Sequence, residues 1–331
     1  MAGMRILVTG GAGYIGSHTV SVLVDHGHDV TVVDNLTTGH RESLAPFAGV
    51  RLVTADIRDS ERMTAVLRQQ DIDAVIHFAA LSLVGHSMTD PLAYYHNNVG
   101  GTERLLSAMK DAGVSRLVFS STAAVYGEPM SVPIAEDAPT RPTNPYGETK
   151  RVIENMLAWA YQAHRLTSVS LRYFNAAGAH PNLPLGEDHH PETHLIPRVL
   201  QAALRNEPVP VYGTDYPTPD GTAVRDYIHV LDLAEAHRLA LEWLEHHPGA
   251  HAFNLGNGQG FSVRQVIDAA RLVTQQDIPV TYGPRRAGDP AQLVASVERA
   301  QQWLGWTPRL SDLTTIVQTA WDWHRRHPWG Y

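Results

Sequence analysis

The first half of the chain alternates short, nearly continuous apolar runs with longer amphipathic stretches. Strands covered on both faces give such runs, and helix-length segments between them are typical of a parallel sheet with crossover helices. The pattern therefore predicts an α/β fold with a doubly wound parallel sheet. The predicted strands are Arg5–Thr9, Asp29–Asp34, Val50–Thr54, Ala74–Phe78, Arg116–Ser120 and Ser168–Tyr173. The predicted helices are Tyr14–His26, Ser60–Gln70, Pro91–Asp111 and Pro145–His164.

The alternation of apolar runs and amphipathic stretches ends at about Gly178. Four prolines between positions 181 and 197 interrupt an irregular stretch, and shorter elements follow it. Proline fixes φ and lacks a backbone donor, so it tends to end regular elements. We therefore predict a first domain over residues 1–176 and a smaller, mixed α/β substrate-binding domain over residues 177–331.

Composition narrows the functional classes. The chain has 331 residues and no cysteine, which excludes disulfides, thiolate metal sites and thiol nucleophiles. Its formal net charge of −8 argues against a nucleic acid partner, because a surface that neutralises phosphates is normally basic. The segment Met1–Arg5 leads directly into a strand, and no run reaches membrane-spanning length. We therefore expect a cytoplasmic protein without a membrane partner.

Glycines recur at fixed spacing directly after the first predicted strand. The segment Thr9-Gly10-Gly11-Ala12-Gly13-Tyr14-Ile15-Gly16 fits both G-x-G-x-x-G and G-x-x-G-x-x-G and leads into a helix. Glycine permits the tight turn and the close approach of a pyrophosphate, whose charge is attracted by the free N–H groups at the helix start. The loop predicts a dinucleotide cradle of the Rossmann type.

The second predicted strand ends in Asp34, which is followed by Asn35. A carboxylate at this position accepts hydrogen bonds from the hydroxyls of an adenosine ribose. A 2′-phosphate would meet a like charge there. The predicted cofactor is therefore NAD rather than NADP.

Tyr146 and Lys150 lie four residues apart at the start of a predicted helix. Asn144 can cap this helix and Pro145 suits its first position, so the two side chains share one helical face. Lysine is rare here, with two residues among 26 lysines and arginines, and only an ammonium is compact enough to bridge a ribose and a phenolate. We predict that Tyr146 and Lys150 are the catalytic pair.

A tyrosine that acts as a base near neutral pH needs a lowered pKa. The usual value is about 10, so a shift of about 3 units, on the order of 4 kcal/mol, is required. We expect three positive influences to lower the pKa: the Lys150 ammonium, the helix N-terminus and an oxidised nicotinamide ring. Thr122, after the fifth strand, is the predicted hydroxyl that contacts the reacting substrate oxygen beside Tyr146, and the alternative is a plain strand-end threonine.

These residues together resemble the extended short-chain dehydrogenase/reductase family and, within it, the UDP-glucose 4-epimerases. The resemblance covers essentially the whole chain, and its most specific stretches are Val8–His18, Tyr94–Val99, Tyr173–Gly178 and Asp220–Val230. It implies that part of 225–255 returns to the first domain. It also implies a homodimer, because relatives commonly pair through the helix that bears the catalytic tyrosine and the helix before it.

The resemblance implies a set of binding residues on each side of the reaction. The NAD side should use Gly10, Gly13, Tyr14, Ile15, Gly16, Asp34, Asn35, Asp56, Ile57, Phe78, Ala79, Ala80, Asn97, Tyr146, Lys150 and Tyr173. The UDP-sugar side should use Thr122, Tyr146, Asn175, His194, Leu195, Val211, Tyr212, Arg225, Tyr227, Arg286, Asp289 and Leu293. Charge supports the second set independently, because arginine offers forked donors to a diphosphate.

The activity implied by the resemblance is the reversible C4 epimerisation of a UDP-hexose. The tyrosine takes the C4 hydroxyl proton while hydride passes from C4 to enzyme-held NAD⁺, which leaves a 4-keto sugar. This intermediate turns about its phosphate link and receives hydride on its other face. No second substrate is consumed.

Three alternatives start from the same fold. A nucleotide-sugar dehydratase or decarboxylase shares the first oxidation, but dehydratases place acidic side chains where this chain has Ala123 and Ala124, whose methyl groups cannot transfer a proton. A catalytically silent NAD(H)-binding sensor would keep the glycine loop and lose the tyrosine–lysine pair. A net dehydrogenase would exchange its NAD with solvent.

Three positions depart from the best-known epimerase pattern. Ser82 replaces a lysine near the cofactor, His194 replaces an asparagine near the uridine phosphates, and Leu293 replaces a bulky tyrosine in the sugar pocket of some relatives. The smaller Leu293 leaves more room. We therefore hypothesise that N-acetylated UDP-hexoses are substrates too.

Histidines cluster at positions 189, 190 and 194. A metal site is one interpretation, but neither cysteine ligands nor a helical i, i+4 histidine pair accompany them. We therefore expect a solvated loop and no metal.

Overall fold

A sheet of seven parallel strands forms the centre of the protein in a computed structural model, which describes residues 3–286 and 289–331. The strands, in chain order, are β1 (Arg5–Thr9), β2 (Asp29–Asp34), β3 (Arg51–Thr54), β4 (Ala74–His77), β5 (Arg116–Thr122), β6 (Thr167–Tyr173), β7 (Asn175–Ala177), β8 (Val209–Tyr212), β9 (Val224–Arg225), β10 (Tyr227–His229), β11 (Ala250–Leu255), β12 (Phe261–Ser262), β13 (Val280–Gly283) and β14 (Gln292–Leu293). The central sheet has the order β11-β6-β5-β4-β1-β2-β3.

Helices cover both faces of this sheet. They are α1 (Tyr14–Asp25), α2 (Ser60–Gln69), α3 (Val84–Thr89), α4 (Pro91–Tyr94), α5 (Gly101–Ala112), α6 (Pro145–His164), α7 (Leu195–Arg205), α8 (Val230–Trp243), α9 (Val263–Thr274), α10 (Glu298–Leu304) and α11 (Leu313–Arg326). Short 3₁₀ turns occupy Arg41–Leu44 and Ala123–Val125. Among the described residues, no helix has both the length and the apolar run that a bilayer crossing requires.

The predicted fold class is confirmed. The chain has a Rossmann-type doubly wound parallel sheet and smaller mixed sheets, formed by β7 with β10, by β8 with β13, and by β9 with β12 and β14. The strand β11 pairs with β6 at one edge of the central sheet, and α8 packs against α1. The domain boundary near residue 176 remains a prediction.

One predicted helix is not a single regular α-helix. The stretch Pro91–Asp111 was expected to be one helix, but α4 and α5 are separated by a π-helical segment, Tyr95–Gly100. Within it, the buried Asn98 accepts a hydrogen bond from the Leu81 backbone N–H at 2.8 Å and donates to the Leu81 carbonyl at 3.0 Å. A π-turn inserts an extra residue into the helical register, and such turns are frequent at functional sites.

Alternate side chains of the central strands enter two different apolar cores. Ile6 and Val8 of β1 face the core that includes residues of α1 and α8, while Leu7 faces the core that includes residues of α2, α5 and α6. This arrangement explains the continuous apolar runs of the sequence. The carboxyl ends of β1, β4 and β5 therefore lie side by side at one edge of the sheet.

A buried ion pair joins α6 to the central sheet. Glu154 of α6 contacts Arg172 of β6 at 2.6 Å, and both side chains are nearly inaccessible to solvent. Glu154 also accepts a hydrogen bond from the Ser121 hydroxyl of β5 at 2.6 Å. This network fixes α6 over the strand that ends in Thr122.

The Glu154→Gln substitution should destabilise the protein by about 3 kcal/mol, because it leaves the buried Arg172 guanidinium without a counter-charge. The matched control is Glu148→Gln on the same helix, whose ion pair with Arg151 is partly exposed and should contribute less than about 1 kcal/mol. Urea unfolding of both variants measures the difference. Equal losses of stability would contradict the assigned role of the buried pair.

Candidate functional site

A large cavity opens at the carboxyl ends of the central strands. Its volume is about 1270 Å³, which exceeds the roughly 300–1,000 Å³ of common small-molecule pockets. Every residue predicted on the cofactor side lines this cavity. From the substrate side it is lined by Thr122, Tyr146, Asn175, His194, Arg225, Arg286, Asp289 and Leu293.

The glycine loop has the geometry that a phosphate cradle requires. Gly10 adopts φ +71°, and a Cβ atom at this residue would lie 2.7 Å from the Ala79 backbone nitrogen. A Cβ on Gly16 would lie 2.2 Å from the Gly10 carbonyl oxygen, so helix and strand can pack this closely only with glycine. By contrast, a Cβ on Gly13 would meet only the Gly10 oxygen, at 3.4 Å. The protein therefore leaves the space in front of Gly13 open.

Asp34 is fixed at the end of β2 beneath this loop. Its carboxylate accepts the backbone N–H of Ala12 at 3.0 Å and that of Leu36 at 2.8 Å. Burial raises the pKa of Asp34, and these two hydrogen bonds oppose the shift. Each carboxylate oxygen has a second lone pair, which can accept from a ribose hydroxyl.

Residues that follow β3 and β4 form the far wall of the cavity. Asp56 accepts from Asn35 at 3.3 Å, and its hydrogen bonds with Arg58 hold the pKa of Asp56 well below its usual range. Ile57 follows Asp56 in this wall, and Phe78, Ala79 and Ala80 extend from β4. Asn97 reaches the same cavity from the π-helical segment.

The predicted catalytic pair lies at the start of α6. The Asn144 side chain caps this helix by accepting the Gly147 backbone N–H at 2.8 Å, and Pro145 occupies the first turn. The Lys150 ammonium donates to the Ser120 carbonyl at 2.7 Å and lies 5.8 Å from the centre of the Tyr146 ring. Both side chains are almost completely buried and both line the cavity.

Burial dominates the ionisation of this pair. It raises the pKa of Tyr146 above its usual value, and it lowers the pKa of Lys150 to about 7. A contact with Thr122 works in the opposite direction on Tyr146 but does not outweigh burial. The expected lowering of the tyrosine pKa is therefore not produced by the chain alone.

Two hydroxyl groups complete this part of the site. Thr122 ends β5, and its side chain accepts the Ala124 backbone N–H at 3.1 Å. The Tyr173 hydroxyl lies 2.6 Å from the Ser120 hydroxyl, and burial raises the pKa of Tyr173 to about 12. Tyr173 is therefore a neutral hydrogen-bonding group at physiological pH.

Arginines occupy the substrate side of the cavity. Arg225 forms an ion pair with Asp289 and donates to the Val224 carbonyl at 2.7 Å. The Arg286 guanidinium lies 4.3 Å from the centre of the Tyr212 ring, over its face. Both arginines line the cavity, where their remaining N–H groups can bind an anion.

Four predicted substrate residues are not brought to the cavity wall. Val211 and Tyr227 are buried in the apolar core beneath α7 and α9, and Leu195 packs against the same core. Tyr212 is partly exposed and supports Arg286 through its ring face. Only the resemblance implied these four residues, and their role in substrate binding remains a prediction.

The segment 187–194 also differs from its sequence interpretation. His190 is 77% exposed, as a solvated loop predicts, but His189 and His194 contact the buried carboxylates of Glu187 and Glu192. Neither of these two glutamates was predicted from the sequence as a site residue, and neither was Arg198, which also lines the cavity. Arg198 follows His194 by four residues on α7, and this helical spacing was the available signal.

Comparison with known proteins supplies the family. The model of the NAD dependent epimerase/dehydratase family matches residues 6–256. This chain belongs to that family. The predicted catalytic pair and the glycine loop both lie within the matched range.

Individual relatives match the whole length of the chain. A UDP-glucose 4-epimerase of Lacticaseibacillus casei is 54% identical over 329 residues, which cover 99% of each chain. The crystal structure of UDP-glucose 4-epimerase from Brucella ovis in complex with NAD has a TM-score of 0.93, with 46% identity, covering 96% of this chain and 98% of that one. The enzyme from Bifidobacterium longum, in complex with NAD⁺ and UDP, has a TM-score of 0.93, with 40% identity, covering 99% and 100%.

The residues of this chain fit the cofactor of its family. The open space at Gly13, the start of α1 without a side-chain cap, and the Asp34 carboxylate are arranged as a dinucleotide requires. Lys150 and Tyr173 lie at the other end of the same cavity. NAD, and not a metal ion, is the cofactor that this donor set suits.

The Lys150→Met substitution should stabilise the fold by about 1–3 kcal/mol at about pH 6, because it removes a buried cation. The pKa of Lys150 is about 7 in the folded protein and 10.5 when exposed, so between these values the unfolded chain binds more protons. The unsubstituted protein therefore gains stability as the pH rises through this window, and the advantage of the variant should shrink. Urea unfolding at about pH 6 and about pH 9.5 tests this; an advantage independent of pH would contradict it.

Proposed function

We propose that this chain is a UDP-glucose 4-epimerase, an isomerase that interconverts UDP-glucose and UDP-galactose through a transient 4-keto sugar. The observation that carries the proposal is one cavity shared by the dinucleotide cradle, the Tyr146–Lys150 pair and the arginines Arg225 and Arg286. The full-length similarity to named UDP-glucose 4-epimerases supports it.

Tyr146 is the proton-handling group in this mechanism. Its phenolic oxygen takes the proton of the sugar C4 hydroxyl and later returns it, while Thr122 hydrogen-bonds the same oxygen. Lys150, fixed by the Ser120 carbonyl and with a pKa of about 7, carries in its protonated form a positive charge 5.8 Å from the centre of the Tyr146 ring. The glycine loop, Asp34 and Lys150 would hold NAD⁺, which would supply a reversible hydride acceptor for C4, so that the reaction has no net redox change.

The substrate is held by its diphosphate. Arg225 and Arg286 offer forked N–H donors to the phosphate oxygens, and His194 lies on the same wall. Asn175 and Leu293 line the cavity nearer the sugar end, together with Thr122. Anchoring at the phosphates leaves the sugar ring free to present either face, which epimerisation at C4 requires.

The cavity wall argues against a dehydratase or a decarboxylase. Ala123 and Ala124 line it directly after Thr122, so no carboxyl group stands where elimination needs an acid. A silent NAD(H)-binding sensor would have no need to bury Lys150 at the cost of desolvating it. Both alternatives are therefore less favoured than epimerisation.

The sugar pocket supports a broader substrate range. Leu293 lines the cavity and packs against the apolar cluster that contains Ala123 and Val125. A leucine at this position leaves space that a tyrosine would fill. We therefore include the N-acetylated pair, UDP-N-acetylglucosamine and UDP-N-acetylgalactosamine, among the proposed substrates.

The proposal includes a homodimer. The helices α3, α4 and α6 and the π-helical segment expose Met88, Leu92, Tyr95 and Trp159, and these apolar side chains suit contact with a second copy of the chain. A sedimentation mass equal to one chain would refute the dimer.

The cytoplasmic location stays a prediction from the sequence.

The Tyr146→Phe substitution should lower kcat by at least about 100-fold, because it removes the oxygen that exchanges the proton and preserves the ring. The assay supplies UDP-galactose without added cofactor and measures UDP-glucose. The matched control is Tyr161→Phe on the same helix, outside the cavity, which should retain full activity.

Retention of NAD by the purified Tyr146→Phe protein would confirm that the site remains assembled. Unchanged turnover in that variant would refute the role of Tyr146 and favour another base. An unsaturated or 6-deoxy product from UDP-glucose in the unsubstituted protein would instead favour a dehydratase.

The Leu293→Tyr substitution should lower kcat/KM for UDP-N-acetylgalactosamine by at least about tenfold, because a larger side chain in a packed pocket commonly costs about 1–3 kcal/mol. The value for UDP-galactose should change by less than about threefold. Comparison of both substrates in both proteins checks this. If the unsubstituted protein does not turn over the N-acetylated sugar at all, the broader range is wrong.

A further inference from the structure

Four side chains of the segment 187–194 converge on one point beside the substrate cavity. They are Glu187, His189, Glu192 and His194, and one ligand atom of each lies within 4.8 Å of all the others. The segment repeats a Glu-x-His pattern, first at 187–189 and then at 192–194. The repeat brings two carboxylates and two imidazoles to a common centre.

The distances within this cluster match a small coordination polyhedron. The His194 Nδ1 atom lies 2.7 Å from a Glu187 oxygen and 3.2 Å from a Glu192 oxygen. The His189 Nδ1 atom lies 3.2 Å from the same Glu187 oxygen and 3.8 Å from the other Glu192 oxygen. A tetrahedral Zn²⁺ site with bonds of about 2.0–2.1 Å has ligand atoms about 3.3 Å apart, a spacing that small side-chain movements would reach from these positions, with Glu192 offering one of its two oxygens.

Burial and charge explain why a cation belongs at this centre. The Glu187 and Glu192 side chains are 4% and 5% exposed. Within residues 3–286 and 289–331, neither carboxylate forms an ion pair with a lysine or an arginine. Two adjacent buried carboxylates repel each other and need a positive charge between them, which protonated imidazoles or a divalent ion can supply.

Both Nδ1 atoms lie within hydrogen-bond distance of one Glu187 oxygen, at 2.7 Å and 3.2 Å, so the four side chains already converge as histidine–carboxylate pairs. A divalent ion can replace the protons that these pairs share. A divalent ion would use all four ligand atoms equally and would balance both carboxylates with neutral imidazoles.

The surroundings hold the ligands in place. One Glu192 oxygen accepts the backbone N–H groups of Thr193 and His194, each at 2.7 Å. The Trp323 indole N–H donates to the Glu187 carbonyl at 3.2 Å. Hydrogen bonds of this kind orient ligands in metal sites, and Glu187, His189 and His194 also line the cavity, which gives an ion a route of entry.

We propose that Glu187, His189, Glu192 and His194 bind one first-row divalent ion of the Zn²⁺ class as a closed, four-coordinate structural site. The ion fastens the segment that leads into α7 and forms one wall of the substrate cavity. His194 uses Nδ1 in this site and keeps Nε2 for another partner. This proposal concerns a second site and does not depend on the epimerase assignment.

Metal content tests the proposal directly. The purified full-length protein, with its retained NAD, is stripped with a chelator, incubated with ZnCl₂ and freed of unbound metal by gel filtration. Elemental analysis should give one zinc per chain. The His189→Asn and Glu192→Gln variants should bind zinc at least about 100-fold more weakly, since loss of even an outer-shell partner commonly costs 10–100-fold.

The matched control is His190→Asn, which changes an exposed neighbour outside the cluster and should retain one zinc per chain. Substitution with CoCl₂ adds a spectroscopic test, because four-coordinate Co²⁺ gives intense visible absorption. That absorption should be present in the unsubstituted protein and in His190→Asn, and absent in His189→Asn. Zinc should also raise the melting temperature of the first two proteins only.

Failure to retain stoichiometric zinc in the unsubstituted protein would overturn the proposal. Equal retention by His189→Asn and His190→Asn would overturn it as well, because the metal would then be held by other histidines. If His189→Asn does not fold, Glu192→Gln decides, since it preserves both side-chain volume and both imidazoles. None of these measurements uses epimerase activity, so they remain informative whatever the reaction proves to be.

Discussion

The ammonium of Lys150 donates to the Ser120 carbonyl at 2.7 Å in a place that water hardly reaches. Removing a cation from water is costly, and burial lowers the pKa of Lys150 to about 7. The fold therefore has to compensate elsewhere, through the two apolar cores and through the Glu154–Arg172 pair that fixes α6 over the sheet. This cost is understandable only if the lysine is needed where it lies, beside Tyr146 and facing the cavity.

Local sequence patterns predicted which residues line the cofactor half of the cavity. The bounds of β1, β2 and α6 agree with the sequence prediction, because each element is specified by its own apolar run or by its own cap. The glycine loop, Asp34, Tyr146 and Lys150 all follow from short segments at the ends of these elements. Parallel strands bring their carboxyl ends together, so the correct elements sufficed to place these residues around one cavity.

Contacts between residues that are far apart in the chain could not be predicted from local sequence patterns. Only the family resemblance implied Val211 and Tyr227 as substrate residues, and the packing of α7, α9 and α11 that buries them in one apolar core is not visible in any local pattern. The edge strand β11 joins the central sheet after a gap of more than 70 residues from β6, and only the family resemblance, not a local pattern, indicated that part of 225–255 returns to the first domain. Glu187 and Glu192 were overlooked because acidic residues in a proline-rich loop are usually solvated, and here they are buried.

The two halves of the cavity therefore differ in how the chain specifies them. Cofactor residues come mainly from the ends of consecutive strands, so the reaction chemistry depends on the most regular part of the fold. Substrate residues come from separated segments: Asn175, Arg225 and Leu293 lie in the short strands β7, β9 and β14, while His194, Arg286 and Asp289 lie in loops. Selectivity between sugars can therefore shift through a position such as Leu293, outside the central sheet, while Tyr146 and Lys150 stay fixed, provided that the segments bearing the substrate residues are themselves held in place. The carboxylate–histidine cluster at 187–194 lies where such a loop meets α7, and stabilisation there would act on substrate binding without touching the site of proton transfer.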